Sequence, residues 1–228
     1  MFKLGRRSGG ARPTRRAPVG ALALVLGLVA LLPGLGRAAQ AYPPIFGSSE
    51  SRHDNIRVFS QWSGVIDRMN TTPEPFTNAC EGPKSSLCHL KEWNAFLASI
   101  KGLAPQSQLD RVNAFMNKYP YVQDIVNWGV QDYWETPLEF LYKSGECKDY
   151  AIAKYMSLRY LGWPAERLRV VVLQDLNLQL MHAILAVYTG DQIQVLDNQI
   201  SQVVGAESIH HYRAVYSVNE QYWWLHQG

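Results

Sequence analysis

Leu168-Arg169-Val170-Val171-Val172-Leu173 is the stretch on which the fold turns. Its β-branched and apolar residues suit a pleated, packed surface and predict a strand. The chain before it has a different rhythm. Ile56, Phe59, Trp62, Ile66 and Met69 recur at three- and four-residue spacing behind Asp54, which predicts a helix capped by that acid. Leu87, Leu90, Trp93, Phe96, Leu97 and Ile100 form a second stripe after Ser85-Ser86, closed by Gly102 and Pro105. Leu109, Val112, Phe115 and Met116 predict a third helix, and Val122, Ile125 and Val126 a fourth. Pro137 suits the first turn of a short helix over 137–141, and a longer one is expected over 149–161, stopped by Gly162-Trp163-Pro164. After residue 173, segments 183–188 and 192–196 flank Thr189-Gly190-Asp191, a hairpin signal, and 212–218 predicts another strand. The aromatic run Tyr222-Trp223-Trp224 follows it. Helices first and strands later imply an α+β domain with an antiparallel sheet.

Residues 1–41 read as an address. Six basic residues precede the apolar run 21–32, Pro33-Gly34 breaks it, and Ala39-Gln40-Ala41 offers small residues to a peptidase. That order predicts a secretory signal peptide cleaved near Ala41, leaving 42–228 as a single domain in an exported, oxidising compartment. Seven of the 22 basic residues lie in this leader. The remaining 15 face 19 acids, so 42–228 carries a net charge of −4. Such a surface excludes a phosphate-neutralising nucleic-acid binder. An apolar share of 47% excludes a disordered chain.

Three cysteines are present. Cys80 and Cys88, close in sequence, are the natural disulfide pair in an oxidising compartment, the alternative being buried free thiols. That leaves Cys147 over, and an odd cysteine in an exported protein is intermolecular or reactive. Its position favours reactivity, because it directly precedes a predicted helix whose first N–H groups have no intrahelical partner. A thiolate there is stabilised, and the same N–H groups suit the oxyanion of acyl transfer. A nucleophile needs a base, and the base an orienting group. His182 begins the first hairpin strand and Asp197 ends the second. With Thr189-Gly190 as the turn the two are directly opposite, and with Gly190-Asp191 they are diagonal neighbours on one face, within or near side-chain reach, whereas a three-residue loop without a bulge would flip one of them away.

These residues resemble a known family. Tyr133-Trp134, Pro137-Leu138-Glu139-Phe140, Gly145-Glu146-Cys147-Lys148-Asp149-Tyr150-Ala151, then Leu168-Arg169-Val170-Val171, His182-Ala183-Ile184-Leu185 and Leu196-Asp197-Asn198 are similar to the bacterial transglutaminase-like cysteine proteinases, whose best-known members are the LapG-type periplasmic proteases. The resemblance implies a papain-like, transglutaminase-type fold with Cys147 as nucleophile, His182 as general base and then acid, and Asp197 as orienting carboxylate. It implies a periplasmic enzyme that cuts a large surface adhesin near its N-terminus, releasing cells from a biofilm. An inner-membrane receptor for cyclic di-GMP would hold it inactive. It also implies calcium, with Glu146 and Asp149 as candidate ligands. Here, however, the residue after the cysteine is Lys148 where LapG-type proteins carry an acid, and a cation weakens a site that wants several oxygens. Two other readings stay open: a transglutaminase-type acyl transferase using the same thioester, and a non-catalytic exported binding protein.

Overall fold

The computed structural model describes residues 42–71 and 86–228; the expected signal peptide and Cys80 lie outside the described residues. Six helices run through the first part of the described chain: α1 (Ser60–Thr71), α2 (Ser86–Ile100), α3 (Pro105–Met116), α4 (Asp124–Trp128), α5 (Pro137–Lys143) and α6 (Cys147–Tyr160). The strands are β1 (Ser49–His53), β2 (Leu168–Asp175), β3 (Leu180–Thr189), β4 (Gln192–Leu196), β5 (Val204–Gly205), β6 (Tyr212–Val218) and β7 (Trp223–Gln227). They form one antiparallel sheet in the order β1-β7-β6-β2-β3-β4-β5. This is the expected α+β, transglutaminase-like arrangement.

The central strands are buried on both faces, which is why they read as continuous apolar runs rather than alternating ones. Val170, Leu185, Val187 and Leu196 pack with Trp62, Leu109, Phe140, Ile152 and Leu158 of the helical layer. Val171, Leu173, Ile184, Ala186, Tyr188 and Val195 form a second core with Ile45, Ile209 and Tyr212. The buried cation on β2, Arg169, lies 2.8 Å from Glu50 of β1 and over the Trp224 ring of β7 at 3.8 Å. Two tryptophan indoles of the helical layer, Trp62 and Trp93, are satisfied in the core. Trp62 donates to the Asn219 carbonyl and Trp93 to the Ser157 hydroxyl, both at 2.9 Å.

The structure differs from the sequence reading in several places. Asp54 caps no helix. Asn55 accepts from the Arg57 N–H at the single turn Ile56–Val58, and α1 begins at Ser60. Phe59 leaves helical geometry and stacks on Tyr216 and against Trp223, so tertiary packing overrides local periodicity. α6 begins at Cys147, two residues earlier than expected. β1 has no apolar residue to announce it and exists through its pairing with β7, where His53 stacks on Trp223. The register between β2 and β6 shifts between Val172 and Leu173, a bulge that decides which side Tyr212 faces.

Candidate active site

The start of α6 is built by close backbone approach. Ser144 takes a left-handed conformation (φ 65°) as α5 ends. At Gly145 a Cβ would lie 2.6 Å from an Asp149 oxygen and 2.8 Å from Glu135 Oε2, so a side chain there would collide with both carboxylates. The Gly145 carbonyl accepts from the Val122 N–H at 3.1 Å. One residue on, the Glu146 N–H donates to Asp149 Oδ2 at 2.9 Å, a reciprocal cap that fixes the first turn. Cys147 is therefore the first residue of a 14-residue helix, a free thiol and partly exposed. Cys88, by contrast, is disulfide-bonded; its expected partner Cys80 is outside the described residues.

His182 and Asp197 reach the same place from the sheet. Thr189 pairs with Gln192 and Leu185 with Leu196, so Gly190-Asp191 form the turn, with Gly190 at φ 74°. Of the two turns the sequence allowed, this one makes His182 and Asp197 diagonal neighbours on one face. His182 Nε2 is 2.9 Å from Asp197 Oδ1, and Cys147 is close enough to the ring to favour its charged form. The other ring nitrogen, Nδ1, lies 3.4 Å from the Gln199 amide nitrogen. Burial opposes charge on the imidazole, but Asp197 and Cys147 outweigh it and hold the ring protonated up to about 9. Burial likewise opposes charge on Asp197, yet its donors hold its carboxyl below the ordinary range.

The sequence reading missed three supports. Tyr212 donates its hydroxyl to Asp197 Oδ2 at 2.8 Å, and the Gln199 N–H donates to Oδ1 at 2.9 Å. Asn117, just after α3, donates to the Asp197 carbonyl at 2.8 Å. The bulge explains the first. Tyr212 and Ala214 lie in the core with Leu173, whereas Tyr216 and Val218, of the same parity, pack toward the helices. Without the extra residue Tyr212 would point away from Asp197.

The candidate calcium ligands also have definite places. Asp149 is completely buried in a carboxylate pocket with Asp124 and Glu135, two members the sequence reading did not pick out, while Glu146 stands beside it. Into this pocket comes the Lys148 ammonium, 2.7 Å from Asp124 Oδ2, 3.0 Å from Asp149 Oδ2 and 3.5 Å from Glu146 Oε2. The oxygens a divalent ion would need are thus shared with a cation and with backbone donors. Asp124 Oδ2 accepts from the Tyr133 N–H, and Asp149 Oδ1 from the Glu135 N–H. Asp124 Oδ1 and Glu135 Oε2 are buried without a partner. Two free oxygens beside an ammonium do not fit an ion that takes six to eight.

The profile of the bacterial transglutaminase-like cysteine proteinases matches residues 67–227. Among solved structures, Legionella pneumophila LapG is similar at 26% identity, covering 72% of this chain and 86% of that one, with a TM-score of 0.57. Its calcium-bound form gives the same values, and its EGTA-treated form a TM-score of 0.58. No curated protein matches the chain.

Proposed function

The chain belongs to the bacterial transglutaminase-like cysteine proteinase family, and from that premise we propose that it is a periplasmic cysteine endopeptidase using Cys147, His182 and Asp197. The single observation that carries this reading is the meeting, at the mouth of α6, of the free Cys147 thiol with a His182 ring that Asp197 holds at 2.9 Å. The Cys147 sulfur, whose proton the His182 imidazolium already carries, attacks the scissile carbonyl carbon. The oxyanion that forms lies against the first-turn N–H groups of α6, which favour negative charge. Collapse breaks the C–N bond as His182 returns its proton to the leaving amine. The thioester is then hydrolysed by a water that gives its proton to His182 and its oxygen to the acyl carbon, and the thiol is regenerated. Asp197 holds the ring in orientation and balances its charge throughout.

The substrate of this reading is a large surface adhesin cut near its N-terminus, releasing cells from a biofilm. The inhibitor is an inner-membrane receptor for cyclic di-GMP. Both rest on the family resemblance and on the likeness to LapG. The test incubates the mature protein and its Cys147→Ala variant with N-terminal fragments of adhesins from the same genome. Wild type should yield two fragments and the variant none. Cleavage by both proteins, or by neither, overturns the proposal; incorporation of a labelled primary amine in place of hydrolysis would favour the acyl transferase.

A further inference from the structure

Lys148 occupies a position that ordinary helix electrostatics disfavours. It is the second residue of α6, where the unpaired N–H groups make the potential positive and a cation is unwelcome. It is also buried, with its side chain 8% exposed. A buried ammonium is stable only where it is paired and hydrogen-bonded. Here it has three carboxylates: Asp124 at the start of α4, Glu146 at the cap of α6, and Asp149 in the first turn of α6. Those acids in turn fix backbone that shapes the site. Asp124 accepts from the Tyr133 N–H, Asp149 from the Glu135 and Glu146 N–H groups, and Glu146 Oε1 from the Asp124 N–H. Three segments meet in this knot, and Cys147 sits on it.

We propose that Lys148 is a tethered cation: its ammonium does for Asp124, Asp149 and Glu146 what a divalent ion would do, so the start of α6 is held without calcium. An ion touching the same oxygens would lie within roughly 5 Å of the ammonium, where two positive charges repel strongly in a buried site. Ammonium and calcium are therefore alternative occupants. The lysine's advantage is that it is covalently attached, so its effective concentration does not depend on the surroundings. The consequence for cleavage rests on the proposed role of Cys147; the placement of the cation does not.

Calorimetric titration of the mature protein with calcium chloride, and thermal unfolding in millimolar calcium and in excess EGTA, test this directly. Wild type should show no saturable binding and the same midpoint in both media. Lys148→Met, which keeps length but removes charge, should unfold about 10 °C lower, the scale for leaving buried charges uncompensated in a domain of this size. Saturable calcium binding by wild type, a midpoint lowered by EGTA, or a Lys148→Met variant as stable as wild type would each overturn the proposal. Should the methionine variant not fold, Lys148→Arg decides. A midpoint close to wild type supports a requirement for charge, and failure to recover it counts against one. None of these readouts is cleavage, so they stand or fall apart from the proteolytic reading.

Discussion

Asp197 and Asp149 are both completely buried, yet the molecule treats them in opposite ways. Asp197 sees donors: the His182 ring, the Gln199 N–H and the Tyr212 hydroxyl. Together they overcome the cost of burial and keep it ionised well into acid. Asp149 also has two backbone donors and an ammonium, but burial still raises it to about 6. Glu135 beside it is pushed up to about 8, first by burial and then by the charge of Asp149. The contrast shows that donor number alone does not set the state of a buried acid; burial does as well, and for Glu135 a neighbouring acid too. One carboxylate is a fixed charge for an imidazole, whereas the other belongs to a crowded pocket that joins three segments around its cation.

Neutralising Asp197 attacks the first half of that contrast and should have the largest effect. Asp197→Asn keeps the shape and removes the charge, and kcat/KM should fall about 10³- to 10⁴-fold, as when a triad loses its orienting carboxylate. The pH profile gives the sign. The folded His182 titrates near 9, above its ordinary 6.5, so its contribution to stability is complete below 6.5 and is lost as pH rises through 9. Activity that needs the protonated ring falls over the same alkaline window. In Asp197→Asn the alkaline limb should move at least about one pH unit lower. A limb that stays near 9 would mean that Asp197 does not set the charge of the ring.

The second half is sharpened by Glu135→Gln, with a smaller and opposite effect. A carboxyl raised from 4.5 to about 8 is protonated when folded and ionised when unfolded across that interval, so stability declines as pH rises through it. The amide removes this penalty. The variant should melt a few degrees higher than wild type above pH 8 and no higher below pH 4.5, as unfolding midpoints across pH would show. A gain that does not depend on pH would remove the crowding argument.

How much of this was legible beforehand depends on whether a feature is local. Periodicity gave α2, α3 and the central strands because their apolar residues face neighbours on every turn or on both faces. Cys147, His182 and Asp197 could be picked out because a helix entrance and a hairpin bring their chemistry together by short-range rules. β1 escaped because its sequence, Ser49-Glu50-Ser51-Arg52-His53, is polar and gains its order from a strand more than 160 residues away. Asp124 and Glu135 escaped because no spacing links them to Asp149; a fold does. Lys148 was visible as a departure from the family's acid, but its partners were not.

Tyr212 is the least legible support and gives the smallest effect, but its test separates positioning from bulk stability most cleanly. The bulge in β6 places its hydroxyl on Asp197 Oδ2, while Oδ1 keeps His182 and Gln199. Tyr212→Phe removes one of three donors and leaves the ring packed near His182 at 5.7 Å between centroids. A hydrogen bond to a charged group contributes about 1.5–3 kcal/mol, and relaxation toward the two remaining donors should bring the loss to the lower end. The stability that Asp197 gives is present above its unfolded pKa and disappears as pH falls through its depressed folded value. With one donor gone that value rises, so the acid limb of kcat/KM should begin at higher pH while the alkaline limb set by His182 changes little. If Tyr212 merely fills space, the midpoint would drop and neither limb would move. A shift confined to the acid side is what a hydroxyl holding a carboxylate ionised must produce.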